Sequence, residues 1–150
     1  MDRQEDQVVR ELSVAECWDR LAESRLGRVV VNTSGSMDIF PVNYAVDRSG
    51  IYFSTAPGSK LVTLTIHSVV LFEADLVTAG KREAWSVVAR GRAQHLRTAA
   101  DIHYADGLAI RPWVETPKYE YVRIAVQSIT GRMFQLSHDV RLEHCRGLDP

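Results

Sequence analysis

The chain has 150 residues, a quarter of them charged, and a formal net charge of −1. That length suits a single domain able to bury roughly two-thirds of its unfolded surface. The balanced charge excludes the basic field by which nucleic-acid binders gather phosphates, and no apolar run is long enough to span a bilayer.

Residues 1–12 are polar and are expected to fray. Met1-Asp-Arg-Gln-Glu-Asp has no apolar segment behind it, so no signal peptide is expected. Cys17 and Cys145 form neither a CxxC nor a Cys/His ligand spacing, and two lone thiols fit a reducing compartment. The expectation is a cytoplasmic protein. Ser13-Val-Ala-Glu16 is a capping box, and Val14, Cys17, Trp18, Leu21 and Ala22 follow at helical spacing. This predicts a helix from about Val14 to Ser24, released at Gly27 into the β-branched run Arg28–Thr33.

Two turns, Ser34-Gly-Ser36 and Asp47-Arg-Ser-Gly50, separate strands predicted over Ile39–Val46 and Ile51–Thr55, an antiparallel meander. Lys60–Ile66 is ambiguous: a short helix at best, with enough β-branched residues to suit a strand. Ser68–Val77 reads as a strand, Ala79-Gly-Lys-Arg82 as a turn, and Ala84–Leu96 as a long strand. Gly91 inside it predicts a bulge or a close backbone approach. Thr98 to about Ala109 suits a helix. Arg111-Pro-Trp and Glu115-Thr-Pro-Lys118 form an irregular connection, because both prolines oppose a helix. The last strands occupy Tyr119–Leu136, with a break expected near Thr130-Gly131, and a polar tail follows. Six or more strands with two or three helices make an α+β fold, and closure of the meander into a small barrel would remove exposed edges.

The most informative stretch is Ile51-Tyr-Phe-Ser-Thr-Ala-Pro-Gly-Ser-Lys60-Leu61. A β-rich run stops at Pro57-Gly58, and Ser59-Lys60 opens the next element. Hydroxyls, free backbone N–H groups and one fixed cation then meet at a helix N-terminus, where an anion is most easily held. Ser59 and Lys60 would otherwise be only a cap and a solvated lysine.

Three segments in order, Pro41-Val-Asn-Tyr44, Ile51–Leu61 and Trp85-Ser-Val-Val-Ala-Arg-Gly91, resemble successive signatures of one family. They are similar to the pyridoxamine 5′-phosphate oxidase-like flavin-binding split barrels, especially the branch that includes nitroimidazole-resistance proteins. The resemblance runs from about Ser13 to Leu136. It implies a six-stranded antiparallel split β-barrel with flanking helices over residues 13–136, between the polar segment 1–12 and the tail 137–150. It also implies a homodimer with a flavin at each interface. Thr55, Ser59 and Lys60, with Leu61 beside them, would hold the ligand phosphate. Pro41, Val42, Asn43 and Tyr44 would run along the isoalloxazine ring and offer backbone hydrogen bonds. Trp85 would stand near the ring, and Ser86 would approach its pyrimidine edge from the same or the other subunit.

True pyridoxamine phosphate oxidases carry a second basic residue directly after the one matching Lys60, where this chain has Leu61. Their arginine-rich ending is not reproduced around Arg132. The resemblance therefore points away from vitamin B6 oxidation and toward a flavin-dependent oxidoreductase with an unidentified small-molecule substrate. FMN is the expected cofactor; the deazaflavin coenzyme F-420 is the alternative, since related split barrels use either. A flavin carrier or sensor without turnover is the alternative of another class. His67, His95, His103, His138 and His144 give no metal spacing, and no GxSxG elbow occurs. Metal chemistry is not expected, and the catalytic residues stay unassigned.

Overall fold

The computed structural model describes residues 8–111 and 118–136. The expected irregular connection and the polar tail fall mostly outside those residues. Seven strands and three α-helices run in the order β1 (Val9–Glu11), α1 (Val14–Leu21), β2 (Leu26–Thr33), β3 (Ser36–Val46), β4 (Gly50–Thr55), α2 (Ser59–Ile66), β5 (Val69–Thr78), β6 (Glu83–His95), α3 (Ala99–Gly107) and β7 (Glu120–Gln135).

The strands form one antiparallel sheet in the order β1-β7-β4-β3-β2-β5-β6, and β7 also pairs with β6. That extra pairing closes the six strands β2–β7 into a barrel. Its interior is the β-branched and aromatic set expected of a half-buried pleat, with Val29, Val31, Ile51, Phe53, Phe72, Val87 and Ile124 fully buried. Glu120 to Ala125 of β7 pair with β4, and Arg132 to Phe134 pair with β1. Residues 9–11 are therefore paired rather than frayed, a correction that polar composition could not signal.

Helix α1 starts where its capping box requires. Ser13 Oγ accepts from the Glu16 N–H at 3.2 Å, and Glu16 Oε1 accepts from the Ser13 N–H at 3.1 Å. It buries Cys17, Trp18 and Leu21 against the barrel. Helix α2 resolves the ambiguous segment as helix and buries Leu64. Helix α3 is capped by Thr98, whose Oγ1 accepts from the Asp101 N–H at 3.1 Å. It covers a second, outer apolar cluster of Tyr52, Leu96, Ala105 and Tyr121.

Two glycines mark close approaches. A Cβ at Gly91 would lie 2.2 Å from the Ala125 carbonyl oxygen. The register shifts there from Arg90↔Ser128 to Gly91↔Val126, leaving Gln127 as the bulged residue. The expected break near Thr130-Gly131 is absent, for β7 runs unbroken to Gln135. Gly131 serves packing instead: a Cβ there would lie 2.8 Å from Cys17 Sγ.

Candidate cofactor site

The barrel is split between β3 and β4. Their ladder holds only from Val46↔Ile51 to Tyr44↔Phe53. Beyond it, Pro41 to Asn43 stay paired with β2 while Ser54 and Thr55 stay paired with β7. The Tyr44 N–H donates to the Arg25 carbonyl at 2.9 Å, away from β4. By the alternation of a strand, Asn43 and Pro41 turn their backbone edge toward the parting. Pro41 faces it without an N–H, so the split orphans no donor at that position. The Asn43 side chain is committed, since its Nδ2 donates to the Arg111 carbonyl at 2.9 Å. On the opposite wall Ser54 Oγ is buried without a partner.

Thr55 leads through Ala56-Pro57-Gly58 into α2. Gly58 has φ +154° and ψ −159°, a region essentially reserved for glycine, and nothing lies within 4 Å of a Cβ built there. It is the N-cap of α2, so no side chain caps the helix, and no acidic residue occupies the first turn. The first N–H groups of α2 thus have neither a capping oxygen nor a nearby helix carboxylate, and they carry the positive end of the helix dipole. Ser59 and Lys60 are exposed beside them. Lys60 Nζ lies 5.2 Å from the centroid of the Phe40 ring on β3, so its cation spans the parting of the two strands. Leu61 packs against the core. Lys60 thus reaches β3 beside Pro41, with Thr55 and Ser59 in the loop that leads to it, and the donors present suit a phosphate.

Several other expected residues direct their side chains away from the parting. Val42 and Tyr44 turn their side chains into the core, and the Tyr44 hydroxyl donates to the Leu21 carbonyl at 2.7 Å. Burial pushes that hydroxyl pKa well above its usual value. Trp85 is a core residue, 3% exposed, with its indole Nε1 unpaired. Ser86 lies far from the loop. Thr55 pairs with Glu120, and His95 pairs with Val122 at that same end of the barrel. Ser86 is nine residues further along β6, on the order of 30 Å of extended strand. There it lines a cavity of about 480 Å³ with Glu11, Thr130 and Arg132. One chain does not bring Ser86 to the phosphate loop.

One group was not anticipated. Arg97 Nε donates to His95 Nδ1 at 3.1 Å, and His95 Nε2 lies 2.9 Å from Glu120 Oε2. An arginine only donates, so Nδ1 is the acceptor and the imidazole proton sits on Nε2, directed at Glu120. His95 ends β6 and Arg97 lies two residues beyond it in the connection to α3, so no strand spacing signalled the group.

Residues 13–133 match the family model for pyridoxamine 5′-phosphate oxidase. The chain belongs to this family. A crystal structure from Corynebacterium glutamicum, under a provisional pyridoxamine 5′-phosphate oxidase name, is 47% identical with a TM-score of 0.82, covering 93% of this chain and 99% of that one. An FAD-binding protein from Mycobacterium smegmatis is 38% identical with a TM-score of 0.73, covering 85% of this chain and 100% of that one. A Bacteroides thetaiotaomicron protein whose name ties it to 5-nitroimidazole resistance shares the fold, with a TM-score of 0.68 at 14% identity, covering 84% of this chain and 89% of that one. The family's α+β split barrel is thus the fold of this chain, and flavin binders stand among its relatives. Among the described residues no helix is long and apolar enough to cross a membrane.

Proposed function

We propose that this protein is a flavin-dependent oxidoreductase that acts on a small molecule as a homodimer. The observation that carries the reading is the uncapped start of α2 at the parting of β3 and β4, with Lys60 bridging to Phe40. Its donors fit the ribityl phosphate of a flavin, and the 38% identical relative is an FAD-binding protein. Thr55, Ser59 and Lys60 hold the phosphate, Lys60 as a point charge and the loop N–H groups as directed donors. The backbone edge of Pro41 and Asn43 orients the ring. A bound flavin supplies the hydride and electron transfer, and the protein supplies binding and orientation. No side-chain acid or base is assigned.

FMN is the form we favour, because Lys60 is the one cation within the loop; FAD presents the same phosphate, and coenzyme F-420 is the alternative. A second copy would supply Ser86 to the ring. Met37, Ile39 and Val69 support such an interface, being 68%, 64% and 60% exposed on the outer sheet face. A carrier without turnover is the other reading, favoured by the relative's description as a binding protein.

The purified protein tests these together. A yellow preparation whose flavin is reduced by a nicotinamide and reoxidised by an added acceptor supports the enzyme. Bound flavin that a nicotinamide does not reduce supports the carrier. A colourless protein that binds F-420 but not FMN or FAD overturns the cofactor choice, and one that binds none of them overturns the reading.

A further inference from the structure

The phosphate loop has an acidic neighbour. Glu120 on β7 stands directly opposite Thr55 on β4, so their side chains share a face with Cβ atoms about 4.5–5.5 Å apart. A bare carboxylate there would oppose an anion held at Ser59 and Lys60. It is not bare. His95 Nε2–H donates to Glu120 Oε2, and Arg97 braces the imidazole from behind through Nδ1. The guanidinium brings a positive charge to the group, and the pair of hydrogen bonds fixes where the carboxylate points.

That arrangement leaves one oxygen to spare. Glu120 Oε1 takes part in no hydrogen bond among the described residues, and the side chain is 39% exposed. His95, at 17% exposure with both ring nitrogens engaged, has nothing left to offer a ligand. The open position is therefore an acceptor that takes donors and repels anions, one strand away from a position that takes anions. Between the phosphate and the ring of a flavin lies a chain of hydroxyls, and hydroxyls are donors.

We propose that Glu120, positioned by His95 and Arg97, is a specificity-determining residue that accepts hydrogen bonds from the polyol hydroxyls next to the ligand's phosphate. This inference rests on the flavin reading of the same site. It makes the site selective for a phosphorylated polyol over phosphate alone, and it assigns His95 and Arg97 as positioning residues.

The test measures FMN affinity by quenching of flavin fluorescence, and the affinity of inorganic phosphate by its competition with FMN, in the full chain. Glu120→Ala should weaken FMN about ten- to a hundredfold, the range for a charged hydrogen bond. It should leave the inhibition constant of phosphate unchanged or lowered. Glu120→Gln, which keeps an acceptor oxygen, should lose less than Glu120→Ala. Parallel weakening of FMN and phosphate would mean that Glu120 only supports the loop, and it overturns the inference. So does unaltered FMN binding in Glu120→Ala. If Lys60→Ala weakens FMN while Glu120→Ala does not, this inference fails and the flavin reading stands. If the unmodified protein binds no flavin, both fail.

Discussion

The two ends of the barrel present contrasting polar sites. At the α2 end the Thr55–Lys60 loop is contiguous in sequence, and its helix start is left without a cap. At the α1 end the cavity around Ser86 is assembled from β1, β6 and β7, so that Glu11, Ser86 and Arg132 meet across three strands. The first end is a local device that any strand–turn–helix can build; the second exists only after the barrel has closed. In one chain they are far apart, and we read them as halves of two sites that a second copy joins.

The strongest way to break that comparison is Lys60→Ala. It should weaken flavin binding by about 1.5–3 kcal/mol, as for a charged hydrogen bond, and leave the fold intact. Lys60 is exposed, so its stacking on Phe40 contributes only about 0.5–1 kcal/mol to stability. Calorimetric titration with parallel melting curves separates the two effects; unchanged affinity removes the phosphate assignment.

Ser86→Ala should cost less, about 0.5–1.5 kcal/mol of flavin affinity, the net worth of a neutral hydrogen bond. Mixing Lys60→Ala chains with Ser86→Ala chains sharpens the claim. If each site draws Lys60 from one chain and Ser86 from the other, a mixed dimer regains one intact site. Titrating the mixture should then show a fraction of sites with the original affinity, and no such fraction means the two residues do not share a site across the dimer.

The remaining expected effect bears on stability rather than on flavin affinity, and concerns the hairpin at which β3 and β4 are still joined. Burial by itself would raise the Asp47 carboxyl, but hydrogen bonds from Tyr104, Tyr52 and the Gly50 and Ser49 N–H groups outweigh it and hold its pKa at about 2, against an ordinary 3.8. Both phenol donors stand at 2.8 Å. A carboxyl whose folded pKa lies below its unfolded value stabilises the fold above the unfolded value, and that stabilisation is lost as pH falls toward the folded one. Asp47→Asn should therefore melt earlier than the unmodified protein at neutral pH, with the gap closing between about pH 3.8 and 2. A gap that stays constant over that range would show that Asp47 does not act through its charge.

The parts legible in the sequence were those set by neighbours in the chain. The α1 capping box, the meander up to Thr55 and the close approach at Gly91 all follow from local chemistry, and each stands as expected. Strand β1 was not legible, because a polar segment pairs through its backbone and leaves no side-chain signal. Gly131 was misread as a break for a related reason: what it makes room for is Cys17, distant in sequence. At the candidate site, Thr55, Ser59 and Lys60 could be picked out because they are adjacent in the chain, whereas nothing local showed that the side chains of Trp85 and Tyr44 turn into the core. The place of Glu120 beside Thr55 could not be read either, since it depends on the β4–β7 register, which no spacing in the chain reveals.

The central claim is that the start of α2 holds a flavin by its phosphate. Titrating the unmodified protein with FMN and with riboflavin, which differ only in that phosphate, tests it most directly. The account predicts FMN to bind tighter by at least about tenfold, the lower end of what a charged hydrogen bond supplies. Equal affinity for the two would contradict it.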